Sequence, residues 1–232
     1  MTGLMGSRRL PHHLHQRSTR KRGYETAKRM LDISLSLAAI VILAPLLATQ
    51  CLLVRWTSPG PALFCQERLG RGGRSFTLVK LRTMYCGASD ELHRGYVASL
   101  ASGGRVPSTG PRGLFKLETD PRVTPAGAWL RRTSLDELPQ LLNVLTGTMS
   151  LVGPRPVLPW EAQIWPLTYP AYSHRFEVKP GMTGLWQVSG RGRLSAGDSI
   201  DLDAEYVERR SFSLDLLILI RTVPAVLRGG GA

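Results

Sequence analysis

The sequence predicts an α+β fold associated with a membrane: an apolar N-terminal helix that breaks near its middle, then a small, mainly helical body. Three observations lead there. From Ile33 to Val54 the chain runs 22 residues without a charge. Two strand-like runs, Leu63–Glu67 and Ser75–Arg82, flank a glycine-rich turn. Leucines then recur at helical spacing between Leu135 and Leu145. A length of 232 residues fits one domain with a core, plus a tail or an anchor. A hydrophobic content of 43% excludes a wholly disordered chain.

Charge narrows the partners. The chain carries 30 Lys and Arg against 17 Asp and Glu, a formal net charge of +13. That excess suits an anionic partner: nucleic acid, anionic lipid or a phosphate-bearing substrate. Eight of the basic residues and only two acids fall within residues 1–32. Residues 1–26 lack apolar periodicity and read as a flexible basic tail; His12, His13 and His15 find no further metal ligand nearby. Three cysteines, Cys51, Cys65 and Cys86, form no CxxC pair, which argues against a disulfide scaffold or a zinc ribbon.

The charge-free run has the length of a bilayer core, which takes about 20 apolar residues as a helix. A soluble core helix seldom stays apolar all round for so long. Lys28 and Arg29 precede it and Arg55 follows it. Pro45 removes a backbone hydrogen bond and should break or kink the helix. Residues 27–56 thus form a membrane segment with two open topologies: a straight span, or a re-entrant helix pair broken at Pro45. Basic residues at both ends do not support opposite sides.

Residues 57–232 make the body. Arg55 to Ala62 reads as an interfacial turn with Trp56 at headgroup depth. Gly70, Gly72 and Gly73 join two strand-like runs and precede no helix, so a hairpin turn is expected there and not a phosphate loop. Residues 87–113, rich in Gly, Ser and Pro, read as a loop. Ser134 and Glu137 form a capping-box pattern that starts a helix ending at Gly147. Its leucines form the buried stripe, while Asp136, Gln140 and Asn143 share the opposite, polar face. Asp136 and Glu137 could simply complement the helix dipole. Arg155, mounted between Pro154 and Pro156, adds a rigid guanidinium suited to phosphate. Amides, a carboxylate and a fixed arginine together look like phosphoryl-transfer equipment.

Lys179 and Arg191 sit in two tight turns around Trp186 and could reach anionic oxygens. Asp201 and Asp203 have DxD spacing, but i and i+2 point apart on a helix, which leaves Asp203 alone as a candidate. Ser211–Arg228 reads as an amphipathic interfacial helix, too short to span. Trp160, Trp165, Tyr169 and Tyr172 are either interface anchors or core.

These residues resemble a family. Lys28-Arg29-x-x-Asp32, Ala44-Pro45, Lys80-Leu-Arg82-Thr-Met84 and Asp120-Pro-Arg122-Val-Thr124 occur in order. Thr133-Ser-Leu-Asp136-Glu137-Leu-Pro-Gln140, Asn143-Val-Leu-x-Gly147 and Met149-Ser-Leu-Val-Gly-Pro-Arg155-Pro follow. Lys179-Pro-Gly-x-Thr-Gly184, Trp186-Gln-Val-Ser-Gly-Arg191, Asp203-x-x-Tyr206-Val and Leu214-Asp215-Leu complete the set. The ordered set, over residues 27–227, resembles the bacterial sugar transferases, the monotopic polyprenyl-phosphate phosphoglycosyl transferases of the exopolysaccharide-type branch.

The resemblance implies transfer of a sugar-1-phosphate from a UDP-sugar to undecaprenyl phosphate, with release of UMP. It implies Asp136 as nucleophile and Glu137 as the Mg2+ ligand. Lys80, Arg82, Arg155 and Arg191 become phosphate grips, and Asp203 and Gln140 supporting residues. Lys28 and Arg29 would snorkel to headgroup phosphates of the bacterial inner membrane. Because nucleotide sugars are cytosolic, tail and catalytic domain should both face the cytosol, which selects re-entry. Thr148 and Thr119 stand where the family often has acids. A homo-oligomer is compatible with this reading. A catalytically silent membrane scaffold is the alternative, against which the intact acid pair speaks. Nucleic acid drops out as a partner, because the charge lacks a basic, aromatic-bearing recognition element.

Overall fold

The computed structural model describes residues 12–101, 120–190 and 194–227. Helix α1 (His12–Thr57) leads into an antiparallel hairpin of β1 (Leu63–Leu69) and β2 (Ser75–Leu81). Then come α2 (Glu91–Ala101), α3 (Pro125–Thr133), a 3-10 turn at Leu135–Glu137 and α4 (Gln140–Thr146). The parallel pair β3 (Ser150–Val152) and β4 (Gly181–Thr183) brackets α5 (Glu161–Thr168) and a 3-10 stretch, Pro170–Glu177. Helices α6 (Leu185–Ser189), α7 (Ala196–Arg209) and α8 (Phe212–Leu227) follow.

Helix α1 is the longest element, 46 residues with Pro45 inside it. It begins within the stretch expected as flexible tail; residues 1–11 lie outside the described residues. It is assigned as a single helix, where two separate ones were expected. Pro45 is exposed, so its ring meets no packed neighbour, and the turns on either side are pinned by Ala39, Ile40 and Cys51 against the body. Among the described residues it is the one helix long and apolar enough to cross a membrane. A stripe along it, Asp32, Ser36, Gln50 and Val54, is buried, while Val41, Ile42 and Leu52 are 66%, 74% and 68% exposed.

Both flanks of the apolar run attach to the same body. On the N-terminal side, Lys28 Nζ donates to Asp215 Oδ2 at 2.8 Å. Arg29 donates to the carbonyls of Val144 and Leu145, each at 2.6 Å. Asp32 Oδ1 accepts from Leu151 N at 2.9 Å and Ser150 Oγ at 3.1 Å. On the C-terminal side, Val54 packs with Leu81 and Leu130.

Three apolar clusters fill the body. The first joins Leu78, Leu141, Val144, Met149, Val152, Tyr206 and Ile218, with Ala39 and Ile40 of α1 against it. The second gathers Tyr96, Val97, Trp165, Tyr172 and Ile200, with Trp160 and Tyr169 packed on it. The four aromatics are thus core, not membrane anchors. Tyr96 and Val97 belong to α2, which replaces the expected loop at 87–113; residues 102–113 lie outside the described residues. Val97 and Ala101 fall at i and i+4 and bury one face, which holds the helix down despite its glycine-rich surroundings.

The capping box at Ser134 is not formed. Ser134 is left-handed (φ 58°), closes α3, and its side chain makes no cap bond. Pro139 cannot donate to the preceding turn, so α4 begins only after it. Its faces depart in part from expectation: Leu141 is buried as expected, but Leu142 is 48% exposed, and Gln140 and Asn143 are buried. The cause is a polar bridge. Asn143 Nδ2 donates to Thr77 O at 2.7 Å, and its Oδ1 accepts from Val79 N at 3.0 Å. One side chain satisfies both backbone groups on the open edge of β2.

Asn143→Ala leaves those two groups without partners and should cost about 2–3 kcal/mol. Thermal unfolding of the detergent-solubilised variant checks this; an unchanged midpoint would remove the bridge from the account.

Candidate functional site

Alternation along β1 sends Phe64, Gln66 and Arg68 to one side, and Lys80 of β2 lies opposite Phe64 in register. These residues wall a cleft of about 150 Å³ that also receives Asp136, Glu137, Arg131, Arg155 and Arg122. The left-handed Ser134 makes the reversal between α3 and α4, and the short turn it launches carries Asp136 and Glu137 into the cleft.

Asp136 is 5% exposed, and its Oδ1 has no hydrogen-bond partner. Glu137 Oε1 lies 3.8 Å from Arg155 Nη1, a loose pairing. Arg131 Nε donates to Thr83 Oγ1 at 2.8 Å, which holds that guanidinium beside the acids. Burial and the neighbouring guanidiniums push Lys80 down to about 7, against the pull of Asp136. Lys80 Nζ also lies 5.2 Å from the centre of the Phe64 ring.

Other expected site residues lie elsewhere. Arg82 donates to the carbonyls of Ser58 (2.8 Å) and Pro59 and to Cys86 Sγ, so it clamps the end of α1 and does not line the cleft. Lys28 and Arg29 turn inward to Asp215 and to the C-terminal carbonyls of α4, not outward to headgroups; in the protein interior their charges have stronger partners than water. Lys179 approaches the same end of α4, close to Arg29. Gln140 lines a smaller cavity behind Lys80, Glu137 and Arg155. Asp203 is buried and bonded to Arg175 Nη2 at 2.5 Å, while Asp201 is exposed, so the two form no DxD pair. Burial pushes Asp203 up to about 6 against the pull of Arg175. Arg175 itself reaches the cleft and stacks 4.0 Å over the Tyr172 ring. Arg191 and Thr119 lie outside the described residues.

Sequence reasoning missed Arg68, Arg131, Arg175, His93 and Glu161 as cleft residues. Only Arg68 had a readable signal, the period-2 alternation with Gln66 on a strand facing Lys80. The others come from separate elements that tertiary packing brings together.

Among the described residues, no group of three or more His, Cys, Asp or Glu could hold a metal ion alone. Mg2+ does not require one, since it commonly takes one or two carboxylates and completes its shell with substrate phosphates and water. The Glu137 carboxylate, which lines the cleft and is only loosely paired with Arg155, fits that mode.

A family profile described as Bacterial sugar transferase matches residues 23–229. The exopolysaccharide production protein ExoY of Rhizobium meliloti is 37% identical over 206 residues, 89% of this chain and 88% of that one. A UDP-glucose:undecaprenyl-phosphate glucose-1-phosphate transferase of Caulobacter vibrioides is 40% identical, covering 86% of this chain and 69% of its own. An undecaprenyl-phosphate galactose phosphotransferase of Salmonella typhimurium is 38% identical over 94% of this chain, though over only 44% of its own length.

The depressed Lys80 gives a signed test. Unfolded, the amine titrates near 10.5; folded, near 7, so between those values the unfolded chain binds the extra proton. Stability of the ligand-free protein should therefore rise with pH across that window. Lys80→Met should flatten the rise in unfolding midpoints measured at pH 7 and 9.5. Equal slopes in both proteins would contradict a buried, depressed Lys80.

Proposed function

Because the chain belongs to the bacterial sugar transferase family and is a sugar-phosphate transferase, we propose that it carries a hexose-1-phosphate, such as that of glucose or galactose, from a UDP-sugar to undecaprenyl phosphate. The single observation that carries the mechanism is Asp136: a buried carboxylate with an unpartnered oxygen, in a cleft lined by Lys80, Arg131 and Arg155. An oxygen so placed is available to attack phosphorus, and the three cations can hold diphosphate oxygens around it.

In this reading Asp136 attacks the sugar-bearing phosphorus, and the bond to the bridging oxygen breaks to release UMP. An oxygen of the lipid phosphate then attacks the same phosphorus, and the bond to Asp136 breaks. The product is a polyprenyl diphosphosugar, and Asp136 is restored as a carboxylate. The transfer is thus split into two in-line displacements, with Asp136 as nucleophile in the first and leaving group in the second. Glu137 would hold Mg2+, which supplies charge neutralisation to the diphosphate when bound. Arg155 pairs loosely with Glu137, and Arg131 offsets the negative charge of Asp136. The product would be the first lipid-linked intermediate of an exopolysaccharide or related glycan.

The same reading places the apolar part of α1 in the cytoplasmic membrane as a re-entrant element, with tail and body on the cytosolic face. What supports re-entry is that Lys28, Arg29 and Asp32 before the apolar run, and Val54 after it, all bind one folded body. A helix with its flanks in different compartments could not make both sets of contacts.

With UDP-sugar, Mg2+ and polyprenyl phosphate, the solubilised protein should release UMP; release of UDP would sink the mechanism. Without lipid acceptor, the wild type should gain the mass of one phosphosugar. Asp136→Asn should lose that adduct and at least a thousandfold of turnover, roughly what loss of a nucleophile costs. For topology, Ser18→Cys in a background without the native cysteines should resist a membrane-impermeant thiol reagent in intact cells. Labelling from outside would overturn re-entry.

A further inference from the structure

The cleft has two ends of different chemistry. Lys80, Arg131 and Arg155 surround the acid pair at one end. The other end is lined by Glu161, His93, Tyr172 and Ser199; of the guanidiniums there, Arg175 is already committed to Asp203 and Arg68 donates to Gln66 and Pro156. We propose that Glu161, oriented by His93, is a specificity-determining residue that accepts hydrogen bonds from sugar hydroxyls of the donor. The inference rests on the donor being a UDP-sugar, as proposed above.

Glu161 has unused hydrogen-bonding capacity. The Glu161 side chain is only 8% exposed, yet it makes one short bond, from Leu158 N to Oε2 at 2.7 Å. Arg68 Nη1 stands 3.9 Å from Oε2, and His93 Nε2 stands 3.5 Å from Oε1. Both exceed the 2.7–2.9 Å typical of charge-assisted hydrogen bonds. A carboxylate offers about four acceptor positions, so Oε1 retains room on the side that faces the cleft. Burial disfavours its charge, but His93, Arg68 and the Leu158 amide together hold Glu161 below the ordinary carboxylate range. It is therefore an acceptor, and adjacent sugar hydroxyls are donors.

Position supports the chemistry. His93 projects from α2 and is held edge-on to Trp160, 5.7 Å between ring centres. Arg68 joins the two ends: its guanidinium donates to Gln66 Oε1 and Pro156 O, and it feels both Glu161 and the Arg155–Glu137 pair. A hydroxyl bound at Glu161 thus lies one guanidinium away from the phosphate end. In a nucleotide sugar the diphosphate carries a hexose on one side and a ribose on the other, and either could present the hydroxyls.

The experiment measures kcat/KM for UMP release by wild type and Glu161→Gln. Donors are a UDP-hexose that the enzyme accepts, its monodeoxyhexose analogues, and the analogue with 2′-deoxyuridine. Glu161→Gln should lower kcat/KM about 10- to 100-fold for the full donor. One analogue should lose a similar factor with wild type and lose no more with the variant. If that analogue is a deoxyhexose, Glu161 reads the transferred sugar; if it is the 2′-deoxy compound, Glu161 reads the ribose. Equal, multiplicative losses across all donors would make Glu161 a structural residue and overturn the inference alone. Absence of UMP from wild type with every UDP-sugar would overturn the transferase reading and this inference with it. His93→Ala leaves the Leu158 bond in place and runs the same cycle should Glu161→Gln fail to fold.

Discussion

The seven residues of α4 are held from three directions, and the position of the acid pair depends on all three. Arg29 of α1 closes the C-terminal end with two charge-assisted bonds to Val144 and Leu145 carbonyls. Such bonds contribute roughly 1.5–3 kcal/mol each, and they also suit the negative end of the helix dipole. Asn143 ties the middle to the hairpin. The N-terminal end runs back through Pro139 to Asp136 and Glu137. A helix this short has little stability of its own, so the long apolar helix, the hairpin and the turn that carries the acid pair are mechanically one unit.

Within that unit the charges divide by commitment. Arg122 is forked onto Asp120, and Arg175 makes a single bond to Asp203, so those cations are balanced inside the protein. Lys80 and Arg155 have looser partners, and Arg131 makes a single side-chain bond to a hydroxyl. A site built to receive an anion should keep some cations underused and fixed in place, because reorganisation at the moment of reaction is what preorganised charge avoids. The depressed Lys80 is consistent with that arrangement: burial first, and then three neighbouring guanidiniums, disfavour its proton.

The outer surface is organised by the same division. Helix α1 turns a buried stripe of Asp32, Ser36, Gln50 and Val54 toward the body and leaves large apolar side chains exposed. Helix α8 does likewise, burying Ile218 and Asp215 while Ile220 and Val223 stay exposed. Asp215 accepts from Lys28, Tyr24 and Tyr206, which ties α8 to the start of α1. Exposed apolar faces of this size need a low-dielectric cover, and a lipid interface is the cover the proposed substrate chemistry supplies.

How much of this was legible in the sequence depends on how local each cause is. The charge-free run, the hairpin, the ordered motifs and the acid pair were readable, because each is set by residue type at short spacing. The limits of α4 and the state of Ser134 were not: a capping-box pattern and a leucine repeat are equally compatible with one long helix, and only Pro139 and the packing of Asn143 against β2 decide otherwise. Arg82 and Arg29 looked like ligands for phosphate, since a guanidinium in sequence carries no sign of which carbonyls will reach it first. Helix α2 was hidden in a Gly- and Ser-rich stretch because its stability comes from the face it buries against Trp165 and its neighbours. By itself the sequence determined the chemistry on offer: two acids, a set of cations and an apolar anchor. The tertiary structure alone decided which cations face the acids and which are spent on backbone carbonyls, because that choice turns on desolvation and geometry between residues on separate elements, up to 116 positions apart for Arg29 and Leu145.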